Sequence, residues 1–330
     1  MNSSKIELTK CFLSSIDAAK AFVDYNEYLL DPDDEIYRYA LQIYAYNYDN
    51  VAAKRASFDD DSFLGRILPQ SEDDFAAFVD VITDEMHTLL GQAYDLGAGS
   101  GLFLWATVEE QPVIGFFKLN YQSKLLCEMT DDGQVVWRRN GRLLPSHTQK
   151  EYDYFYINIF EKKVWMSDSK IYMDGASVNY MAEKILQLEL KKSEKEMVTV
   201  FENAVLDTIR ECYEETPQKV FEYRQEAASQ AKEMGEISPV RMEKILFADN
   251  EQAKEVYHEK VEELQIADKP VEVSKKTERK LKKKQKIVLE SGIELQVPIE
   301  CLEDKNLFDY SQDEHGNVLI KIQDVGGVLK

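Results

Sequence analysis

Two apolar runs, residues 102–108 (LFLWATV) and 113–119 (VIGFFKL), constrain this chain more than any other feature. Each is apolar at odd and even positions alike. A strand buried on one face alternates between apolar and polar residues, whereas one buried on both faces reads as a continuous apolar run. The turn-like Glu109-Glu110-Gln111-Pro112 joins the runs. The reading is two adjacent central strands of a covered sheet. Lys118, Asn120, Tyr121 and Lys124 then place polar groups where the second strand leaves the sheet, in a conformational role rather than as ligand contacts.

The residues before this pair read mainly as covering helices. Residues 5–13 form a short strand. Asp17 caps a helix with Ala18, Phe22, Tyr25 and Leu29 on one face, stopped by Asp31-Pro32-Asp33. Ile36, Ala40, Ile43 and Tyr44 mark a second helix behind the acidic Asp33-Asp34-Glu35, where negative charge suits the helix dipole. Asp59-Asp60-Asp61 reads as a solvated helix start rather than a metal site. Residues 72–90 give the clearest helix. Ser71 is its N-cap, Phe75, Phe78, Val79, Ile82, Met86, Leu89 and Leu90 recur at helical spacing, and Gly91 ends it.

Asp95-Leu96-Gly97-Ala98-Gly99-Ser100-Gly101 looks like the glycine-rich loop of S-adenosylmethionine-dependent methyltransferases. Such a loop must follow a buried strand and open a helix. Here a helix precedes it and a strand follows, so the preferred reading is a glycine-rich lead into the central strand.

Downstream, residues 125–129 and 135–137 are strands about a turn at Asp131-Asp132-Gly133. Asn140-Gly141 is a strong hairpin signal, flanked by Arg138, Arg139 and Arg142. Residues 154–160 and 164–166 form another hairpin, and Asp174-Gly175 another tight turn, so residues 101–175 read as one meander. Residues 176–266 read as helical. Ser193-Glu194-Lys195-Glu196 is a capping box, Pro217, Ser238-Pro239 and Asn250 begin later helices, and Gly235 ends one. Residues 267–274 read as a linker. Short strands at 287–290, 293–297 and 318–322 complete the chain, with turns at Ser291-Gly292 and His315-Gly316-Asn317. The fold class is α+β: a mixed, mostly antiparallel sheet with N-terminal covering helices, a helical arm and a small C-terminal β element. The expected divisions are 1–180, 181–266, a linker with a basic run at 267–286, and 287–330.

Charge narrows the function. The chain carries a net −21, against the cationic balance that phosphate contact requires. Residues 275–286, KKTERKLKKKQK, hold eight basic residues and one acid, a local +7 that leaves −28 on the remainder. An acidic body with one concentrated basic stretch can dock a polyanion locally without wrapping it. The candidate nucleic-acid contacts are therefore Lys275, Lys276, Arg279, Lys280, Lys282, Lys283, Lys284 and Lys286, with Arg138, Arg139 and Arg142 second, beside Trp137 and Lys150. In a helix, Lys276, Lys280, Lys283 and Lys284 would line one face. The alternative for the run is a solvated linker whose charge balances the body.

No catalytic signature stands in the context it needs, and no catalytic residue is assigned. Asp153, Glu161 and Lys163 resemble an acid–acid–lysine nuclease arrangement only loosely. Cys11, Cys127, Cys212 and Cys301 are widely spaced and form no CxxC pair, and His87, His147, His258 and His315 are equally scattered. Neither a metal nor another cofactor is expected. No apolar run is long enough to span a membrane, and MNSSKIELTK has no signal-peptide core, so a cytosolic protein is expected.

The order of segments carries a resemblance: LFLWATV, VIGFFKLNYQSK, LLPSHTQK, YFYINIFEKKVWMSDSKIYMDG, the SEKE-led helix and KIVLESGIELQVPI. In these the chain resembles the bacterial nucleoid-associated protein family of the NdpA type. The resemblance spans nearly the whole chain and is strongest over residues 100–210. It implies a cytoplasmic, nucleoid-located, non-enzymatic protein that associates with DNA with little sequence specificity. It implies no list of binding residues, although Lys118-Leu119-Asn120-Tyr121 lies closest to a family signature. Other nucleoid proteins are further expected partners, and a scaffold whose acidic faces bind them is the alternative function. The helical arm offers a homodimer surface, although no heptad pattern demands one.

Overall fold

The computed structural model describes residues 5–17, 22–90, 92–93, 96–147, 153–173, 175–213, 216–283, 285–288, 292–297, 306–312 and 318–323. The helix stop at Gly91, the turn at His315-Gly316-Asn317, and Asp95, Lys150, Asp174, Lys284, Ser291 and Cys301 lie outside the described residues. The chain divides into two compact units, Met1–Ser193 and Glu194–Lys330. Helices and antiparallel strands occur together, so the fold is α+β as expected.

The first unit runs β1 (Ile6–Asp17), β2 (Phe22–Tyr28), α1 (Glu35–Tyr48), β3 (Lys54–Ser57), α2 (Phe63–Ile67) and α3 (Phe75–Leu90). There follow β4 (Gly99–Val108), β5 (Gln111–Asn120), β6 (Gln122–Met129), β7 (Val135–Leu143), β8 (Asp153–Asn158), β9 (Lys163–Ser167), β10 (Lys170–Met173) and β11 (Ala176–Asn179). A π-helical turn, Tyr180–Ile185, follows β11. Seven strands form one sheet in the order β2-β1-β4-β5-β8-β9-β3, every neighbour antiparallel.

The two apolar runs lie at the centre of this sheet as β4 and β5, and their two-sided pattern has a direct cause. Leu102, Leu104, Ala106, Val113, Phe117 and Leu119 pack on the face that α1 covers with Ala40, Ile43 and Tyr44. Phe103, Trp105, Ile114 and Phe116 pack on the opposite face with Phe75, Phe78 and Ile82 of α3 and with Tyr180 and Met181. Each large side chain so buried contributes roughly 1.5–3 kcal/mol. The connecting turn is tighter than expected. Only Glu109 (φ 49°) and Glu110 (φ 70°) lie outside the strands, and two successive positive φ values give the twist that suits a two-residue hairpin.

Other expectations are corrected. The segment read as a helix from Asp17 is β2, paired with β1. Its FVDYNEY is rich in strand formers, and Tyr25 packs edge-on against Phe12 at 5.9 Å. Asn140-Gly141 is not a hairpin tip. The β6–β7 turn closes at Thr130, whose N–H donates to Gln134 O at 2.8 Å. Asn140 Oδ1 instead accepts from Arg142 N at 3.0 Å, where the register slips opposite Gln122 and Lys124. The dipeptide thus serves a β-bulge. The single meander is also corrected, because β6–β7 and β10–β11 are separate two-stranded ribbons and β11 occupies residues read as helical.

The second unit runs α4 (Glu194–Cys212), α5 (Thr216–Met234), β12 (Glu236–Ile237), α6 (Pro239–Leu246), α7 (Glu251–Glu263), β13 (Val271–Glu272) and α8 (Lys275–Lys283). It ends with β14 (Gln285–Val288), β15 (Glu294–Val297), β16 (Phe308–Gln312) and β17 (Val318–Ile322). Ser238 and Asn250 cap α6 and α7 through their side chains, as their sequence positions predict. Phe201, Val205, Tyr223, Met242 and Tyr257 form the core. Residues 267–274, read as a linker, carry β13, which pairs with β12 and buries Val271 and Val273 in that core. β16 is a strand absent from the sequence reading; it pairs with β17.

Candidate nucleic-acid interface

The basic run begins as α8, and its local sequence opposes a helix. Lys275 and Arg279, and Lys276 and Lys280, are like charges at i,i+4, which destabilise an isolated helix. Tertiary contacts supply what the sequence lacks. Ser274 Oγ accepts from Thr277 N at 3.4 Å as the N-cap. Ser274 N and Oγ both donate to the buried Glu194 carboxylate, at 3.0 and 2.8 Å. Thr277 is buried, and Leu281 packs against the core.

Docking through Thr277 and Leu281 decides what the other side displays. At 100° per residue, Lys275, Lys276, Arg279 and Lys280 span about 140° of the circumference opposite those anchors. All four are exposed. Among the described residues, no carboxylate pairs with Lys275, Arg279 or Lys280. Lys282, Lys283 and Lys286 are described in their backbone alone.

The second candidate set lies on the β6–β7 ribbon. Arg138 and Arg139 face opposite sides of β7, as neighbours in a strand must. Arg138 Nε lies 3.5 Å from Glu128 Oε2, an exposed pair that holds little energy. Arg142 sits beside the bulge. The structure therefore places the three arginines along a strand and around a bulge rather than at one tip.

A third group was assigned only a conformational part in the sequence. Lys118 is 1% exposed inside the first unit, and a buried cation requires partners. Its Nζ donates to Gly97 O at 2.9 Å and to Asn120 Oδ1. Asp153 stands directly across the ladder from it. Asp153 in turn accepts from Ser169 N at 2.8 Å and from Tyr180 Oη at 3.0 Å. Burial pulls the Lys118 ammonium down to about 8, while the Asp153 charge works the other way. Asp168 accepts from Met181 N at 3.2 Å and Ala182 N at 2.9 Å, yet burial pushes its carboxyl up to about 7. The cluster ties the glycine-rich segment, β5, β8 and the π-helical turn together. Its sequence signal was a lysine inside an otherwise apolar central run.

The nuclease-like trio is not brought together. Asp153 opens β8, whereas Glu161 and Lys163 pair with each other at 3.3 Å beyond its other end. Two of the three glycines of the methyltransferase-like loop have a packing reason. A methyl group at Gly99 would lie 2.4 Å from Leu119 O, and one at Gly101 would lie 2.2 Å from Ser14 Oγ. Both belong to β4, so a strand follows where a cofactor loop needs a helix. Asp59, Asp60 and Asp61 are exposed just before Ser62, whose side chain caps α2.

Comparison with known families decides the lineage. A family model described as nucleoid-associated protein YejK matches residues 18–321. The chain belongs to this family. A search among curated proteins found no match. The YejK-family match covers both compact units, and so includes the central sheet, α8 and the β6–β7 ribbon. In this member of the YejK family no helix among the described residues is long and apolar enough to cross a membrane.

Proposed function

We propose that this nucleoid-associated protein binds DNA through the exposed cationic face of α8, non-enzymatically and with little sequence preference. The observation that carries the reading is Lys275, Lys276, Arg279 and Lys280 on one exposed helix face, opposite the Thr277 and Leu281 anchors. Flexible lysines on a helix surface suit phosphate oxygens, which position a protein without reading bases. Lys282, Lys283, Lys284 and Lys286 extend the same charge along the chain. Arg138, Arg139 and Arg142 form a second, weaker contact on the ribbon. The acidic remainder limits contact to these places and repels the duplex elsewhere. The protein then marks or bridges points on the nucleoid rather than coating DNA, and recruits other nucleoid proteins there.

The test is duplex binding measured across salt concentrations. Each phosphate neutralised steepens the log–log slope by about 0.9. Replacing Lys276, Arg279 and Lys280 together by Glu should lower the slope by about 3 and remove binding at moderate salt. An unchanged slope would reject α8 as the interface.

A further inference from the structure

The β6–β7 ribbon has two unlike faces. Residues paired across a ladder share a face, and alternate pairs share it again. Leu125, Arg139, Cys127, Trp137, Met129 and Val135 therefore lie together on one side. Five of the six are apolar, and the side is open: Leu125 is 59% exposed, Met129 74%, Val135 60% and Trp137 70%. Among the described residues the ribbon's strands pair only with each other, and no residue of either is fully buried. A two-stranded ribbon left so in water is marginal, and a continuous apolar patch of this kind marks an interaction surface.

We infer that this face is a homodimer interface, covered by the same face of a second copy of this chain. Two features on the ribbon select that occupant. The first is charge. Along the face, Arg139 lies towards one end, and the turn with Asp131 and Asp132 closes the other. A two-fold axis through the central Cys127–Trp137 pair sets each Arg139 over the partner copy's Met129–Val135 pair, next to its acidic turn and within reach of the long arginine side chain, twice, as an isologous contact must. The second is area. Five side chains losing on the order of 100 Å² each give about 1,000 Å² in total, the lower bound of a specific interface. Trp, Met and Arg are also the residues enriched at such surfaces. The face belongs to the first unit and α8 to the second, so the inference does not rest on the α8 reading; it assigns Arg139 to the partner copy and leaves Arg138 and Arg142 to the weaker DNA contact. It replaces the helical arm as the dimer surface.

The experiment uses the full-length chain. Sedimentation should give a dimer at micromolar concentration, and Trp137→Asp should give a monomer that keeps the far-ultraviolet spectrum of the parent. Arg139→Glu should weaken the dimer at least tenfold. Adding Asp131→Arg and Asp132→Arg to it should restore the dimer, a rescue that simple destabilisation cannot produce. A short bismaleimide should link two copies through Cys127, and Cys127→Ser should abolish the link. A monomeric parent, a dimer insensitive to Trp137→Asp, or no rescue by the charge swap would each overturn the inference. Trp105 and Trp165 are buried, so emission quenched by solvent-borne agents comes from Trp137. If duplex DNA protects or quenches that emission while the chain sediments as a monomer, the face is a nucleic-acid surface and the dimer is rejected.

Discussion

Lys118 and the lysines of α8 are the same residue type in opposite situations. Lys118 is enclosed by β4, β5 and β8, donates to Gly97 O and Asn120 Oδ1, and faces Asp153 across the ladder. Its charge is consumed by the fold. Lys275 and Lys280 stand on a helix held from the other side, with their ammonium groups exposed. In a chain of net −21, the cationic character open to a polyanion depends on where each cation lies, not on the count. Structure and binding should therefore separate when the two kinds of lysine are changed.

The largest expected effect is on stability. Lys118→Ala leaves Asp153 without its facing cation and opens a cavity in the central sheet. It should cost about 3 kcal/mol in chemical denaturation. Its salt slope for DNA should match the parent's. Lys118→Met, which keeps the volume, should cost less. A variant as stable as the parent would show that Lys118 is not structural.

Next comes binding. Reversing Lys276, Arg279 and Lys280 should weaken DNA affinity by about a hundredfold at low salt, while stability stays within about 0.5 kcal/mol. Within α8 the repulsion between positions 275 and 279 becomes an attraction, whereas positions 276 and 280 stay like-charged, so the helix itself changes little.

The pH dependence is smaller and has a defined sign. Asp168 titrates near 7 when folded, above its ordinary 3.8, so the folded state holds this proton more tightly. Its contribution is fully present below about pH 4 and is lost as pH rises to about 7. Lys118 titrates near 8 when folded, below its ordinary 10.5, so stability recovers as pH rises from about 8 to about 10.5. The pair alone thus sets a shallow minimum between about pH 7 and 8. Asp168→Asn should flatten the acid limb, and Lys118→Met the alkaline one, in unfolding curves measured across pH. The smallest effect belongs to Arg138→Ala, whose exposed pair with Glu128 should change stability by less than about 1 kcal/mol.

The same contrast explains how much was legible in the sequence. The central pair β4–β5 was readable because burial on both faces leaves a pattern no one-sided element produces. α1 and α3 were readable from helical spacing; Ser71, read as the N-cap of the second, makes no capping hydrogen bond and precedes a 3-10 turn, Glu72–Asp74, ahead of α3. β2 was missed because apolar residues at helical spacing do not exclude an edge strand: Phe22 and Tyr25 lie in β2, and pairing with β1 decides between the two. Asn140-Gly141 misled because a turn dipeptide also fits a bulge. The basic run was visible as charge, but its helix is held by Glu194, some eighty residues away. The ionic cluster joins positions 118, 153, 168 and 180, which no local pattern connects.

The central claim is that phosphates meet the outer face of α8. Duplex affinity measured against salt, for the parent chain and for the Lys276, Arg279 and Lys280 triple reversal side by side, tests it most directly. A steep parental slope that becomes about 3 shallower in the variant is the predicted result. Equal slopes in the two proteins, or a parent whose binding ignores salt, would contradict it.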